Sequence, residues 1–201
     1  MTMGNHLFKP WKGNQYGNES IFKIPILIVG ESNYTDNLEK EKPHDTFTHR
    51  LISSIIDASW KHRFFSNIQR TFVENADTED SRKQFWNSVA HHEYIQDWLP
   101  KHGVPPTKEM WEKAKPIFLE VVTELKPKCI LFVCKRVYTH VALDFSPSDS
   151  LIFNCSNRNT LQVQDALATY VNHPTRYGFR NSRGVVHELI LKSGGNPQIT
   201  L

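Results

Sequence analysis

Two short runs of apolar residues constrain the fold of this chain more than any other feature. The first covers residues 24–29 (Ile-Pro-Ile-Leu-Ile-Val) and is closed by Gly30, and the second covers residues 129–134 (Cys-Ile-Leu-Phe-Val-Cys). Neither run alternates apolar with polar residues, so each is predicted to form a strand that is buried on both faces. Strands of that kind belong to mostly parallel sheets that helices cover on both sides.

Helical patterns surround these strands, as such a sheet requires. The clearest one begins at Thr107, ends near Lys126-Pro127 and contains Pro116. Further helices are predicted at residues 45–59, with Asp45 as the cap, at 63–73 and at 136–143. Another helix is predicted to begin at Asp80 or Ser81, with Phe85, Trp86 and Val89 facing inward. The last one runs from Ser182 to Gly194-Gly195.

The remaining segments complete a one-domain arrangement. Residues 151–153 and 168–171 are strand candidates, residues 89–95 could form a strand at the sheet edge, and residues 1–22 are predicted to be an irregular N-terminal arm. We therefore expect residues 1–201 to form a single-domain α/β three-layer sandwich, with a mostly parallel central sheet and helices on both faces.

Composition narrows the class of protein further. The formal net charge is only +3, from 24 Lys+Arg against 21 Asp+Glu, which does not by itself demand a nucleic-acid partner. No apolar run approaches the roughly 20 residues of a membrane helix, and residues 1–23 lack the apolar core of a signal peptide. We expect a cytoplasmic monomer without membrane contact, in which Cys129, Cys134 and Cys155 are buried, reduced thiols.

Two polar loops follow predicted strands. One is the segment 30–34 (Gly-Glu-Ser-Asn-Tyr), and the other begins at Asn172 with His173-Pro174-Thr175. Ligands of such sheets bind beyond the carboxyl ends of the strands, so both loops are predicted to line the site. Taken singly, each loop also fits a simple turn, since Gly-Glu often leaves a solvated carboxylate and His-Pro often only stiffens a loop.

These two loops, in this order, resemble those of the uracil-DNA glycosylase superfamily, which has a Gly-Glu/Gln-x-Pro-Tyr loop and a His-Pro-Ser loop. The chain looks closest to a bacterial branch of small glycosylase-like proteins. The matching segments run from about residue 25 to 185 and include Phe-Trp-Asn-Ser-Val-Ala at 85–90, Thr-Lys-Glu-Met-Trp at 107–111, Leu-Lys-Pro at 125–127 and Cys-Lys-Arg at 134–136. Three positions depart: Asn33 replaces a proline, Thr175 replaces a serine, and Ser32 stands where some members carry a water-activating Asp or Asn.

The resemblance implies a monofunctional DNA glycosylase that acts on a flipped base without a metal or cofactor. Glu31 or Asn33 would orient the water and stabilise the oxocarbenium-like sugar, and His173 would donate to the departing base. Ser32, Tyr34 and Phe47 would contact the base, the two aromatic rings by stacking. Which of Glu31, Ser32 and Asn33 handles the water stays open, and the two rings also fit ordinary loop packing.

Glu93 carries the prediction about the substrate. In relatives of this branch an Asn after the Ser-Val-Ala segment reads the base edge, and here Glu93 falls at that place. A carboxylate only accepts hydrogen bonds, which suits the N4 amine of cytosine better than uracil. Since excision of normal cytosine would destroy the host genome, we expect a hydroxymethylated or glucosylated cytosine, as in phage DNA, and a role in antiviral defence. Uracil or damaged-base repair is the alternative, and Glu93 could instead be a structural carboxylate paired with a His or Arg.

DNA contacts are expected from the loop that contains His173. Hydroxyl, arginine and aromatic side chains suit phosphate binding and the filling of the gap left by a flipped base. The candidates are Thr175, Arg176, Tyr177, Arg180 and Arg183, with Lys61, His62, Arg63 and Arg70 as a second, less specific basic cluster.

Two other classes of function remain open at this point. A metal hydrolase could use His91, His92, Glu93 and His173 as zinc ligands, although no H-E-x-x-H spacing occurs. A non-catalytic nucleic-acid-binding module would differ from a glycosylase in forming no abasic sites.

Overall fold

The computed structural model describes residues 7–35, 44–101, 103–145, 159–177 and 180–197. The elements in chain order are β1 (Trp11–Lys12), β2 (Ile26–Gly30), β3 (Asn33–Tyr34), α1 (Phe47–Ile56), α2 (Arg63–Phe72), α3 (Glu79–Ser88), β4 (Ala90–Glu93), β5 (Trp98–Leu99), α4 (Lys108–Leu125), β6 (Cys129–Phe132), α5 (Lys135–Asp144), β7 (Leu161–Val163), β8 (Ala166–Tyr170), α6 (Pro174–Tyr177) and α7 (Arg180–Lys192).

Six strands form one mixed sheet in the order β1-β4-β2-β6-β8-β7. The four inner strands, β4, β2, β6 and β8, run parallel, whereas β1 and β7 pair antiparallel at the two edges. A separate pair of short parallel strands, β3 and β5, lies beside the sheet. The predicted α/β class, with a mostly parallel sheet in a three-layer sandwich, is confirmed.

Two apolar cores lie on the two faces of this sheet. Leu27 and Ile28 are neighbours in β2, yet Ile28 belongs to the core that contains Phe72 and Leu27 to the core that contains Phe118. This follows from the alternation of side chains along a strand, and it explains why β2 has to be apolar at every position. Within the described ranges, no helix has the length and apolar character needed to cross a membrane.

Residues 7–22 of the N-terminal arm are more ordered than the sequence predicts. Trp11 of β1 pairs with His91 of β4, and the side chains of Phe8 and Phe22 are fully buried. β4 therefore lies between β1 and β2 and is not an edge strand. A two-residue strand gives no recognisable periodicity, so the sequence could not reveal that this arm closes the sheet.

Helix starts also differ from the predictions in three places. Asp45 does not cap α1 but pairs with Lys9 at 2.7 Å. The side chain of Thr78 caps α3 by accepting the Ser81 N–H, and Ser182 lies inside α7. The cap predicted for α4 is confirmed, because Thr107 accepts from Met110 N–H. Many polar residues can serve as caps, so the pattern alone does not decide among neighbours.

The last part of the sheet was only partly predictable. The strand expected at 168–171 is confirmed as β8, whereas β7 was not predicted and forms a tight hairpin with β8 through Gln164, whose φ is +51°. The strand expected at 151–153 lies outside the described residues.

Gly13 gives a test of how firmly the arm is held. A Cβ at residue 13 would overlap the backbone carbonyl of Asn87, which cannot move without disturbing the end of α3. We expect Gly13→Ala to lower the free energy of unfolding by about 1–3 kcal/mol, measured by urea denaturation. Asn14→Ala, at an exposed neighbouring turn position, is the matched control and should change stability by less than about 0.5 kcal/mol. Equal stability of both variants would show that the arm does not pack in this way.

Candidate active site

A pocket of about 440 Å³ lies where the parallel strands end. Eight of the residues predicted for the site line it, and they are Glu31, Ser32, Asn33, Tyr34, Phe47, Glu93, His173 and Thr175. They come from four separate segments of the chain, and the parallel sheet brings most of them together because its strands end at one edge. The volume falls in the range of small-molecule sites.

Glu93 reaches this pocket from the end of β4. Strand register places it opposite Gly30, and its side chain is only 5% exposed. Its Oε1 lies 3.0 Å from Nε2 of His91, and its Oε2 has no hydrogen-bond partner within the part of the chain that the structure describes. A Cβ on residue 30 would overlap this carboxylate, so any other residue there would displace the end of the Glu93 side chain.

Glu31 is held by a residue that the sequence did not single out for the site. The Arg136 guanidinium donates from Nε and Nη2 to the two carboxylate oxygens, and Cys134 Sγ lies 3.7 Å from Oε1. Such a bidentate pair fixes both orientation and charge, and the bonds from Glu31 raise the pKa of Arg136. The sequence did contain a signal for Arg136. This residue follows the predicted strand 129–134, so it is expected at the same edge of the sheet as the loop after β2.

Asn33 has more hydrogen-bonding capacity left over than Glu31. Its side chain is buried, and its Nδ2 has no partner among the described residues. Pairing of Asn33 with Trp98, together with the bond from Thr35 N–H to the Leu99 carbonyl, holds this segment in place. Asn33 is therefore a fixed amide at the pocket wall.

Tyr34 follows in the same short strand. Burial raises the pKa of Tyr34, although a hydrogen bond with Ser32 acts in the opposite direction. The phenol therefore stays neutral around pH 7, as a stacking or hydrogen-bonding ring requires.

His173 has a defined orientation. Its Nδ1 lies 3.4 Å from the Thr175 backbone nitrogen and 2.8 Å from the Thr175 hydroxyl oxygen. Because a backbone N–H can only donate, Nδ1 is the acceptor, and the neutral ring carries its proton on Nε2. Asn67 of α2 holds the loop by donating to the Pro174 carbonyl at 3.0 Å.

Seven pocket residues were not predicted for this role. They are Leu51, Trp60, His62, Phe64, Phe65, Val133 and Cys134. Of the rings among them, Trp60 and His62 lie in the connection after α1, and Phe64 and Phe65 lie in the first turn of α2. Phe64 lies 5.1 Å from His173 between ring centroids. Partial burial lowers the pKa of His62, which favours the neutral ring. The aromatic residues are evident in the sequence, but residues 61–63 were interpreted there as part of a basic cluster.

The cysteine prediction holds in part. Cys129 is fully buried in the core, as expected. Cys134 is half-buried at the pocket, where burial raises the pKa of its thiol, so it is not a core residue. Cys155 lies outside the described residues.

The predicted DNA contacts are only partly visible. Arg183 donates to the carbonyls of Arg70 at 2.9 Å and Val73 at 3.1 Å, and lies 3.3 Å from Glu74. Its guanidinium thus joins α7 to the end of α2, while a role toward phosphate stays a prediction. The side chains of Arg176, Tyr177 and Arg180 lie outside the described part of the structure.

A metal centre has no support in the described residues, which contain no group of three His, Cys, Asp or Glu side chains placed to bind an ion. His91 and His92 are consecutive in β4, so their side chains point to opposite faces of the sheet. His91 packs against the rings of Phe65 and Trp86 at centroid distances of 5.6 and 6.2 Å.

Comparison with protein-family models and with curated proteins does not assign the chain to a family. No protein-family model matches the chain, and no curated protein matches it.

Proposed function

We propose that this protein is a monofunctional DNA glycosylase that hydrolyses the N-glycosidic bond of a modified cytosine and leaves an abasic site. One observation carries the proposal: a single pocket combines a buried acceptor (Glu93), an oriented donor (His173) and a fixed amide (Asn33) between aromatic rings. A base flipped out of the stack needs such a pocket, with ring walls for its faces and polar groups for its edge.

Glu93 supports the choice of base. His91 occupies Oε1, so Oε2 is the oxygen that remains to accept from a ligand. The N4 amine of cytosine donates to such an oxygen, whereas O4 of uracil would place two acceptors face to face. A hydroxymethyl or glucosyl group on the base would distinguish phage DNA from the host genome, which makes antiviral defence the proposed role.

His173 supports the departure of the base. Negative charge develops on the leaving base, and the Nε2–H of His173 is the donor that would meet its carbonyl oxygen. The Thr175 contacts fix this tautomer before the substrate arrives, so no proton has to be rearranged. One preorganised donor of this kind is typically worth about 3 kcal/mol of barrier.

Glu31 and Asn33, which follow β2, divide the remaining work. Both oxygens of Glu31 are engaged by Arg136, so Glu31 would hold the loop and place negative charge near the sugar. Nδ2 of Asn33 has no partner among the described residues, and the side-chain amide of Asn33 would orient the attacking water. The oxocarbenium-like state of glycoside hydrolysis needs both contributions.

The substrate prediction is tested with Glu93→Gln. The amide of glutamine offers a donor as well as an acceptor, so excision of modified cytosine should fall about 10- to 100-fold while uracil becomes a better substrate. The measurement is alkali-labile cleavage of labelled DNA that carries cytosine, hydroxymethylcytosine, glucosylated hydroxymethylcytosine or uracil. Glu19→Gln, at an exposed position, is the matched control. Release of uracil alone by the wild-type protein would refute the modified-cytosine proposal.

The leaving-group role is tested at two positions. His173→Ala should lower kcat about 100- to 1000-fold, because the donor is lost. Thr175→Ala should lower kcat less, and Thr175→Ser should retain activity since the hydroxyl is kept. His140→Ala, which removes a histidine stacked on Trp111 outside the pocket, is the control. Single-turnover kinetics would measure each effect, and unchanged rates in His173→Ala would rule out this role.

The same DNA panel distinguishes a glycosylase from the other classes. Binding without abasic sites on any substrate would indicate a nucleic-acid-binding module, and loss of activity with a chelator would indicate a metal hydrolase.

A further inference from the structure

The segment 60–64 covers the end of the connection after α1 and the first two residues of α2, and in it aromatic and basic residues alternate (Trp-Lys-His-Arg-Phe). His62 has an extended backbone, with φ −126° and ψ 121°, so neighbouring side chains point to opposite sides. Trp60, His62 and Phe64 line the pocket, together with Phe65 of α2, whereas Lys61 and Arg63 are not among the lining residues and are exposed to solvent. We call this segment the aromatic-basic segment.

Its rings form a continuous row from the surface into the pocket. Trp60 and His62 lie 4.6 Å apart between centroids at an angle of 31°, and Phe64 lies 5.1 Å from His173. Trp60 is 41% exposed, which is unusual for a large aromatic side chain in this molecule. Exposed aromatic surface at the rim of a pocket indicates a binding role.

The basic side chains of the same segment are available to a partner. Neither Lys61 nor Arg63 forms an ion pair within the described ranges, whereas several other exposed lysines pair with a glutamate on the same helix, for example Lys83 and Lys113. Proteins bind single-stranded nucleic acid with aromatic rings that stack on the bases and with positive charges that contact the backbone. The aromatic-basic segment contains both features.

We propose that the aromatic-basic segment binds single-stranded DNA, with Trp60 stacked on a base next to the pocket and with Lys61 and Arg63 on the phosphates. The proposal rests on the proposed function for the location of the reacting base, and it adds that the strand enters the pocket single-stranded. In an intact duplex the neighbouring bases are stacked on each other, so their faces are not open to Trp60.

The test uses an oligothymidylate, which contains no cytosine and therefore reports binding without reaction. Fluorescence anisotropy should show Trp60→Ala binding about 5- to 150-fold more weakly, the range expected for loss of one stacked base. Trp60→Phe should recover most of the affinity and Trp60→Leu should not, because only the former keeps an aromatic face. A duplex of the same length should bind more weakly than the single strand.

The charges are tested by salt dependence. The double variant Lys61→Ala/Arg63→Ala should make the plot of log affinity against log salt shallower by about 1.4, since each single-strand phosphate contact contributes about 0.7. Lys108→Ala/Lys113→Ala, at exposed positions of α4, is the matched control and should keep the wild-type slope.

The two proposals fail separately. Unchanged affinity in Trp60→Ala, or equal binding of single strand and duplex, would overturn the role of the aromatic-basic segment even if bases are excised. Single-strand binding with the expected variant effects, but no excision from any DNA, would instead refute the glycosylase and leave this segment as a binding site.

Discussion

The close approach of Gly30 to Glu93 is the constraint on which the site depends. The parallel register of β2 and β4 brings the two residues side by side at the sheet edge, and the carboxylate lies over a residue that has no Cβ. His91, buried between Phe65 and Trp86, then fixes one oxygen and leaves the other without a partner among the described residues. Any side chain at residue 30 would displace this carboxylate, which is the acceptor proposed for the base.

A second long-range contact, from Arg136 to Glu31, holds another residue that lines the pocket. It joins residues that are 105 positions apart and attaches the loop after β2 to the start of α5. With its bidentate geometry it also removes Glu31 from the groups free to handle water, which transfers that role to Asn33 in the proposed mechanism. The two contacts make the pocket a product of sheet topology, because parallel strands gather distant loops at one edge.

Prediction from sequence succeeded where the signal was local and strong. The apolar runs that became β2 and β6 are long enough to be recognised, and loops after such strands are expected to carry ligands. It failed for β1 and β7, which have two and three residues and exist through pairing with β4 and β8. Residues 61–63 were interpreted as part of a basic cluster. That the rings of Trp60, His62 and Phe64 line the pocket depends on tertiary packing, which the sequence pattern does not show.

By itself, the sequence determined the α/β class, the two loops at the strand ends and the presence of a carboxylate at residue 93. Those features follow from hydrophobic patterning and from residue identity, which are properties of short segments. The tertiary structure decided which polar groups are engaged: Glu31 by Arg136, Glu93 by His91, and Nδ1 of His173 by Thr175. It also placed the rings of Trp60, His62, Phe64 and Phe65 at the pocket, and it showed that Arg183 connects α7 to α2. The contacts of Glu31 with Arg136 and of Arg183 with Arg70 join residues that are 105 and 113 positions apart, and only the folded topology brings such residues together.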